Sequence, residues 1–385
     1  MPTTRFRNLL YRAALPYMAP AVPKDALLSV TGRQLAVPER LNSIIHRNHI
    51  SGSVVCLQSD SDISFAFSKA IHTRMAPNAQ TFFRVASITK TATALLCFVL
   101  IDRGILDPGK PVSEMLDNGS DIPELKNVRI HHLLSHTSGI TDPPDLEART
   151  LAHCDLKSIL AGTGKSEPGE CFRYSNLGYG LLGCIFETIL HVSVEDVYQR
   201  FLFKPLCMNA TLSAALLPED SIMPVIRILP YHAGTGITVT PLGKHPVSMP
   251  DPAYHYGYTA GSMYTDIGSM LNLTVCLRNG GKPLLSDHYA NVMKQKKAYY
   301  GKRYPTLSYG QGLLIIEDKR ISESIVFGHQ GFAYGCVDGA FWEDSTGNIM
   351  ISLNGGCSEA RNGMLGIANM DLCRWAFREE LPEWR

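Results

Sequence analysis

The period of apolar and polar positions changes several times along the chain, and these changes lay out its elements. Residues 38–50 put Leu41, Ile44 and Ile45 on one face at helical spacing, which predicts an amphipathic helix. Residues 52–57 and 63–67 are short apolar runs joined by the polar turn Gln58-Ser59-Asp60-Ser61-Asp62 and read as a β-hairpin. Residues 91–101 are almost continuously apolar and predict a buried helix that stops at Gly104, before the loop Leu106-Asp107-Pro108-Gly109-Lys110-Pro111. From 128 to 206 the pattern is of helices and loops: a helical turn at 130–134, a Pro/Asp-rich loop at 142–145 and a strongly apolar helix over 177–190. Residues 210–257 carry Pro and Gly with little periodicity and read as surface loop. A helix returns over 258–273, beginning near the N-cap pair Thr265-Asp266. Four successive antiparallel strands follow at 312–316, 325–328, 336–342 and 348–353, ahead of a final helix over 360–377.

Strands therefore fall at both ends of the chain and helices in the middle. This implies an α/β (α+β) fold with one mixed, mainly antiparallel sheet built from both chain ends and flanked by helices. A mostly helical insertion leaves a cleft against it. The expected organisation is an N-terminal extension over 1–37, a sheet domain from 38–104 and 258–385, and the insertion at 105–257. No internal repeat interrupts this layout.

Composition narrows the class. Apolar residues at 45% and charged ones at 18% describe a globular chain, and a net charge of +1 with no basic stripe argues against nucleic acid or an anionic membrane as partner. The ten cysteines include no Cys-x-x-Cys pair and several lie in apolar runs, so buried free thiols in a reducing compartment are expected and a zinc site has no support. Arg5, Arg7 and Arg12 precede any acid, yet Arg12 and Pro16 break the apolar stretch at 9–22 and leave no secretory core. The expectation is a docked N-terminal helix and a cytoplasmic protein, with an organelle presequence as the alternative. No run is long and apolar enough to span a membrane. The cluster His131, His132 and His136 lacks a nearby carboxylate pattern and is read as scaffold, not as a metal site.

Three stretches carry candidate chemistry. In Ser87-Ile88-Thr89-Lys90 a serine opens a helix, where the positive end of the dipole favours a developing oxyanion, and a lysine three residues on shares its face. That is the spacing of a nucleophile beside its proton acceptor. A lone Ser-x-x-Lys arises about once by chance in a chain of this length, so the rest of the sequence decides its meaning. In Tyr174-Ser175-Asn176, after the turn Glu167-Pro168-Gly169, a phenol and an amide two residues apart can enter one cleft as proton shuttle and orienting group, the alternative being a core tyrosine. The pair Tyr289 and Asn291 has the same spacing but precedes a charged stretch better suited to a solvated helix. In His329-Gln330-Gly331-Phe332, at a strand end, Gly331 permits close backbone approach and the N–H of Phe332 can act as second oxyanion donor. His255-Tyr256-Gly257 has the same letters without a flanking strand. Tyr254, Tyr256 and Tyr258 are candidates for the wall of an acyl pocket, with surface packing as the alternative.

Ser-x-x-Lys, Tyr-x-Asn and His-x-Gly in this order resemble the three motifs of the serine β-lactamase and penicillin-binding-protein superfamily, above all its class C-like branch of esterases, transesterases and D-amino-acid peptidases. Residues 136–140, 204–208, 260–265 and 353–355 also resemble recurring stretches of that family. The resemblance implies that Ser87 is acylated, that Lys90 and Tyr174 share its proton, and that Asn176 steadies Lys90 and the acyl side chain. It also implies that the N–H groups of Ser87 and Phe332 hold the oxyanion. No cofactor and no metal is implied. Many family members carry a lysine where this chain has His329, a group mostly neutral at pH 7, so attraction for a substrate carboxylate is weaker and small esters are favoured. The expected function is a carboxylesterase or acyl transferase on small esters. The alternatives are a D-amino-acid peptidase or amidase, a weak β-lactamase, and a retired binding or assembly protein, against which the presence of Ser87, Lys90 and Tyr174 counts. An α/β-hydrolase would need a Gly-x-Ser-x-Gly elbow, which is missing.

Overall fold

The computed structural model describes residues 22–32, 38–152, 154–226, 252–301, 304–333 and 335–378, together with 10, 13, 236 and 237. Nine strands form one sheet: β1 (Leu27–Thr31), β2 (Ser53–Ser59), β3 (Asp62–Ser68), β4 (Ala298–Tyr299), β5 (Leu307–Tyr309), β6 (Leu314–Ile316), β7 (Val326–Ala333), β8 (Cys336–Glu343) and β9 (Ile349–Asn354). Their order across the sheet is β1-β3-β2-β9-β8-β7-β6-β5-β4, with every neighbour antiparallel. The join between the two ends of the chain is the pairing of β9 with β2, from Ile349 opposite Gln58 to Asn354 opposite Ser53. One mainly antiparallel sheet is thus assembled from both chain ends, as the distribution of strands implied.

Alternation along the central strands explains the layers. In β2, Val54 and Cys56 enter the core shared with the helices α2 (Thr89–Asp102), α3 (Asn176–Leu190) and α5 (Ile267–Arg278). Val55 and Leu57 enter a second core under α1 (Pro38–Arg47) and α6 (Ile367–Phe377). The stripe Leu41, Ile44 and Ile45 is the face that α1 buries. Helix α2 has no solvent face: every residue from Thr89 to Ile101 is buried, and the helix runs between the sheet and α3. Each fully buried Leu or Ile there contributes about 1.5–3 kcal/mol, and this burial holds the Lys90 end of α2 in place.

The structure departs from the sequence expectation at several points. The helix expected over 258–273 is two helices, α4 (Pro252–Gly261) and α5, separated by the strand Tyr264–Thr265. That strand pairs with both Phe83–Arg84 and Ala210–Thr211, and this pairing draws the segment out of helical geometry. Asp266 is the N-cap expected for α5, its side chain accepting from the Ser269 N–H at 2.8 Å. Residues 210–226 are not a solvated wrap, because Leu212, Met223, Val225 and Ile226 are buried; most of 227–251 lies outside the described residues. Strand β7 runs five residues past Gly328, since full-length pairing with β8 outweighs the weak strand propensity of its glycines. The last helix starts at Ile367, after a small hairpin of Arg361–Asn362 with Leu365–Gly366. Leu27–Thr31, within the stretch read as an extension, is an edge strand of the sheet. The arginines of the first twelve residues lie outside the described residues.

All ten cysteines are free, and seven of them are buried. Among the described residues no single helix is long and apolar enough to cross a membrane.

Candidate active site

The chain enters the site through the short strand Phe83–Arg84 and turns through a 3₁₀ segment, Ala86–Ile88, directly into α2. Ala86 adopts φ 44°, a left-handed conformation that costs a residue with a Cβ roughly 1–3 kcal/mol. Neighbours hold it there. The Thr89 hydroxyl donates to the Ala86 carbonyl at 2.6 Å and accepts from the Met263 N–H at 3.0 Å, while the Val85 N–H donates to the Met263 carbonyl at 3.0 Å. Strand β7 closes on the other side. A Cβ on Gly331 would lie 2.2 Å from the Val85 carbonyl oxygen, so only glycine lets the strand lie against the turn. Ser87 is therefore presented half-buried at the positive end of a 14-residue helix, one residue before its N-cap.

Lys90 is fully buried, with Nζ 3.2 Å from Ser87 Oγ, 2.7 Å from Asn176 Oδ1 and 2.7 Å from the Ala260 carbonyl at the end of α4. The two short contacts are to oxygens that only accept, so Nζ must donate to both. In the neutral amine those bonds use both protons and leave the lone pair for the Ser87 hydroxyl. Burial lowers the Lys90 pKa from 10.5 to about 7, with Asp142 pulling upward and Arg84 adding to the depression. Near neutral pH a large share of the amine is thus free to take a proton.

Tyr174 completes the group. Its phenol is hydrogen-bonded to Ser87, and burial raises its pKa well above the ordinary tyrosine value while that bond pulls the other way. Its ring lies 4.8 Å from Lys90 Nζ. His136 holds the segment: its carbonyl accepts from the Arg173 N–H at 2.7 Å, its Nδ1 accepts from the Ser175 N–H at 3.1 Å, and its ring packs on that of Tyr174 with centroids 4.2 Å apart. Burial keeps His136 neutral, its pKa far below 6.5. His136, read from sequence as scaffold, is the seat of Tyr174. Asn176 opens α3 behind the N-cap Ser175 and is tied to Asp142, whose carboxylate accepts from its side-chain and backbone N–H groups at 2.8 and 2.9 Å.

The third motif is arranged differently from the sequence expectation. His329 is buried, with Nδ1 2.7 Å from the Gln330 carbonyl and Nε2 3.0 Å from the Tyr309 hydroxyl. Burial, and then the Lys90 charge, lower its pKa to about 3. A neutral ring donates from Nδ1 to the carbonyl and accepts the tyrosine proton at Nε2, so both nitrogens are engaged inside the wall. Gly331 and Phe332 follow where β7 has outrun β6, whose pairing ends at Gly328, and the outer edge of the strand there borders the Ser87 turn.

Two residues escaped the sequence reading. Asp142 lay in what looked like an ordinary loop. Arg361 comes from the hairpin before α6 and stacks on Phe332, its guanidinium carbon 3.4 Å from the ring centroid, close enough for its charge to act on Tyr174. A cation thus stands beside the site even though the third motif has none, and no local pattern announced it. Tyr258 is buried in the core and does not wall a pocket, while the side chains of Tyr254 and Tyr256 lie outside the described residues. Among the described residues no group of three metal-ligating side chains occurs.

Comparison with known proteins places this geometry in context. Penicillin-binding protein 4 of Amycolatopsis lactamdurans is 28% identical over 203 residues, 51% of this chain, which spans about half (52%) of that protein's length. Esterase EstB of Burkholderia gladioli is 25% identical over 372 residues, covering 85% of this chain and 91% of that one. The solved structure of EstCE1, described as a hydrolase with promiscuous acyltransferase activity, superposes with a TM-score of 0.71 over 89% of this chain and 99% of its own, and at 20% identity it shows the shared fold. The family model described as Beta-lactamase matches residues 39–343, from α1 through the end of β8, and the chain belongs to that family.

Proposed function

We propose that the protein is a serine hydrolase or acyl transferase that works through an acyl-enzyme and takes small esters as substrates. The observation that carries this reading is the 3.2 Å contact between Ser87 Oγ and a buried Lys90 amine whose two shorter bonds leave its lone pair for the serine proton. Ser87 Oγ attacks the ester carbonyl and its proton passes to Lys90, directly or through the Tyr174 phenol. The N–H groups of Ser87 and Phe332 receive the oxyanion. As the tetrahedral intermediate collapses, Tyr174 gives its proton to the departing alkoxide and recovers one from Lys90, leaving acyl-Ser87 and a neutral amine. Water or an alcohol then attacks, its proton returning by the same two groups. Hydrolysis and acyl transfer differ only in that second nucleophile. The names of EstB and EstCE1 support this reading, and so does the buried, neutral His329, which gives the third motif no charge with which to hold a carboxylate. We read the helical segment 105–257 as an insertion that brings Tyr174 and Asn176 over the sheet domain, and the seven buried free thiols as fitting a reducing compartment such as the cytoplasm.

Arg361 favours one second reading, an amidase or peptidase for D-amino-acid substrates, because a guanidinium beside Phe332 can pair with a carboxylate. Turnover of p-nitrophenyl acetate and butyrate is to be compared with that of N-succinyl-D-alanyl p-nitroanilide, whose succinyl group supplies a carboxylate, in wild type and Ser87→Ala. Ester turnover that exceeds anilide turnover and disappears in Ser87→Ala is expected. Anilide preference would favour the second reading, and ester turnover that survives in Ser87→Ala would remove both.

A further inference from the structure

Asp142 stands behind Asn176, and its half-buried carboxylate makes four hydrogen bonds to one turn of chain. Oδ1 accepts from the Ser175 hydroxyl and the Leu177 N–H, each at 2.9 Å, and Oδ2 accepts from the Asn176 N–H at 2.9 Å and Asn176 Nδ2 at 2.8 Å. Two consequences follow from elementary chemistry. First, the amide of Asn176 has one permitted orientation. With Nδ2 held by a carboxylate, Oδ1 must face Lys90, where it lies 2.7 Å from Nζ; the reversed amide would set oxygen against carboxylate and NH₂ against amine. Second, a full negative charge stands one amide group behind Lys90. The charged or titratable groups facing that amine are Asp142, Arg84, His136, His329, Tyr174 and Tyr179. The two histidines and two tyrosines are neutral near pH 7 because burial opposes their ionisation. The field at Nζ is then a contest between the Asp142 anion and the Arg84 cation.

We propose that Asp142 is a positioning residue of the acyl-transfer machinery: its carboxylate aims the Asn176 amide at Lys90 and keeps the buried amine a stronger base than its dry surroundings alone would allow. The inference rests on the reading of Lys90 as proton acceptor for Ser87. Removing the anion lets Lys90 lose its proton at lower pH but also makes it a weaker base. A residue that merely capped α3 would change the rate without moving this titration.

The test is the pH dependence of the rate constant for labelling by a fluorophosphonate, measured on wild type, Asp142→Asn and Asp142→Ser, with Ser87→Ala as the control that locates the label. Both variants remove the charge; asparagine keeps the size and one oxygen that can accept from the Asn176 and Leu177 N–H groups, and serine removes the charge with a smaller side chain. The expected result is an acid-limb midpoint lower by about one pH unit, as for loss of a single nearby opposite charge, with the alkaline plateau reduced by about tenfold as the base weakens and Asn176 loses its aim. A plateau that falls while the midpoint stays in place overturns the proposal. Labelling that persists in Ser87→Ala overturns the underlying reading instead, so the two failures are distinguishable.

Discussion

Replacing Lys90 with methionine turns the proton affinity of the site into a stability measurement. The amine titrates at about 7 in the folded protein and at 10.5 when exposed. Below pH 7 both states carry the proton. Between pH 7 and 10.5 the unfolded chain binds it and the folded chain does not, so the lysine's contribution to stability rises with pH, by about 1.4 kcal/mol per unit. From pH 6 to pH 9 this amounts to about 3 kcal/mol, a large fraction of the margin of an ordinary domain. Methionine, of similar length, has no proton to lose; His136 and His329, whose pKa the lysine charge also lowers, are held neutral over this range chiefly by burial, so the comparison isolates the lysine. Urea unfolding of wild type and Lys90→Met at pH 6 and pH 9 is therefore expected to show wild type gaining about 3 kcal/mol relative to the variant at the higher pH. A difference that stays constant over this range would mean that the folded protein keeps the lysine charged to high pH, and an ammonium cannot take the serine proton.

Three further substitutions probe the other parts of the site. Tyr174→Phe keeps the ring packed on His136 but removes the phenol, and kcat for ester hydrolysis is expected to fall about 10²–10⁴-fold with KM little changed; an unaltered kcat would take Tyr174 out of the proton path. Gly331→Ala brings a Cβ to 2.2 Å from the Val85 carbonyl. It should cost about 1–3 kcal/mol in thermal unfolding and slow fluorophosphonate labelling because the Ser87 turn must shift, whereas wild-type behaviour in both assays would mean the strand and turn are not in contact. Arg361→Met should raise KM about fivefold for esters whose acyl group bears a carboxylate, the effect of one partly screened ion pair, and leave neutral esters unaffected. An equal change for both would deny the guanidinium a part in recognition.

How far the site could be read from sequence depends on the range of the interactions that build it. Ser87 and Lys90 stand one turn apart where a 3₁₀ segment runs into a wholly buried helix, so their proximity follows from local geometry, and Tyr174 with Asn176 is marked by the start of another apolar helix. The central strands were legible because Val54, Val55, Cys56 and Leu57 alternate between two cores. What remained hidden depends on distant partners. Asp142 reaches the turn from Ser175 to Leu177 through four bonds that span 33 to 35 residues, and nothing in its own loop distinguishes it. Arg361 reaches Phe332 only because a two-strand hairpin turns the chain back on itself. His329 was placed on the correct strand, but the direction of its ring is decided by Tyr309, twenty residues earlier. The strands β4 and β5 have two and three residues, too short for a period to show, and exist by pairing alone.

The claim beneath all of these is that Ser87 becomes covalently acylated, and the mass of the intact protein reads it most directly. After incubation with a fluorophosphonate or an activated ester, wild type should gain the mass of one adduct, peptide mapping should place it on Ser87, and Ser87→Ala should gain none. An adduct of the same stoichiometry in Ser87→Ala, or no adduct in a wild type that still turns over esters, would contradict the account.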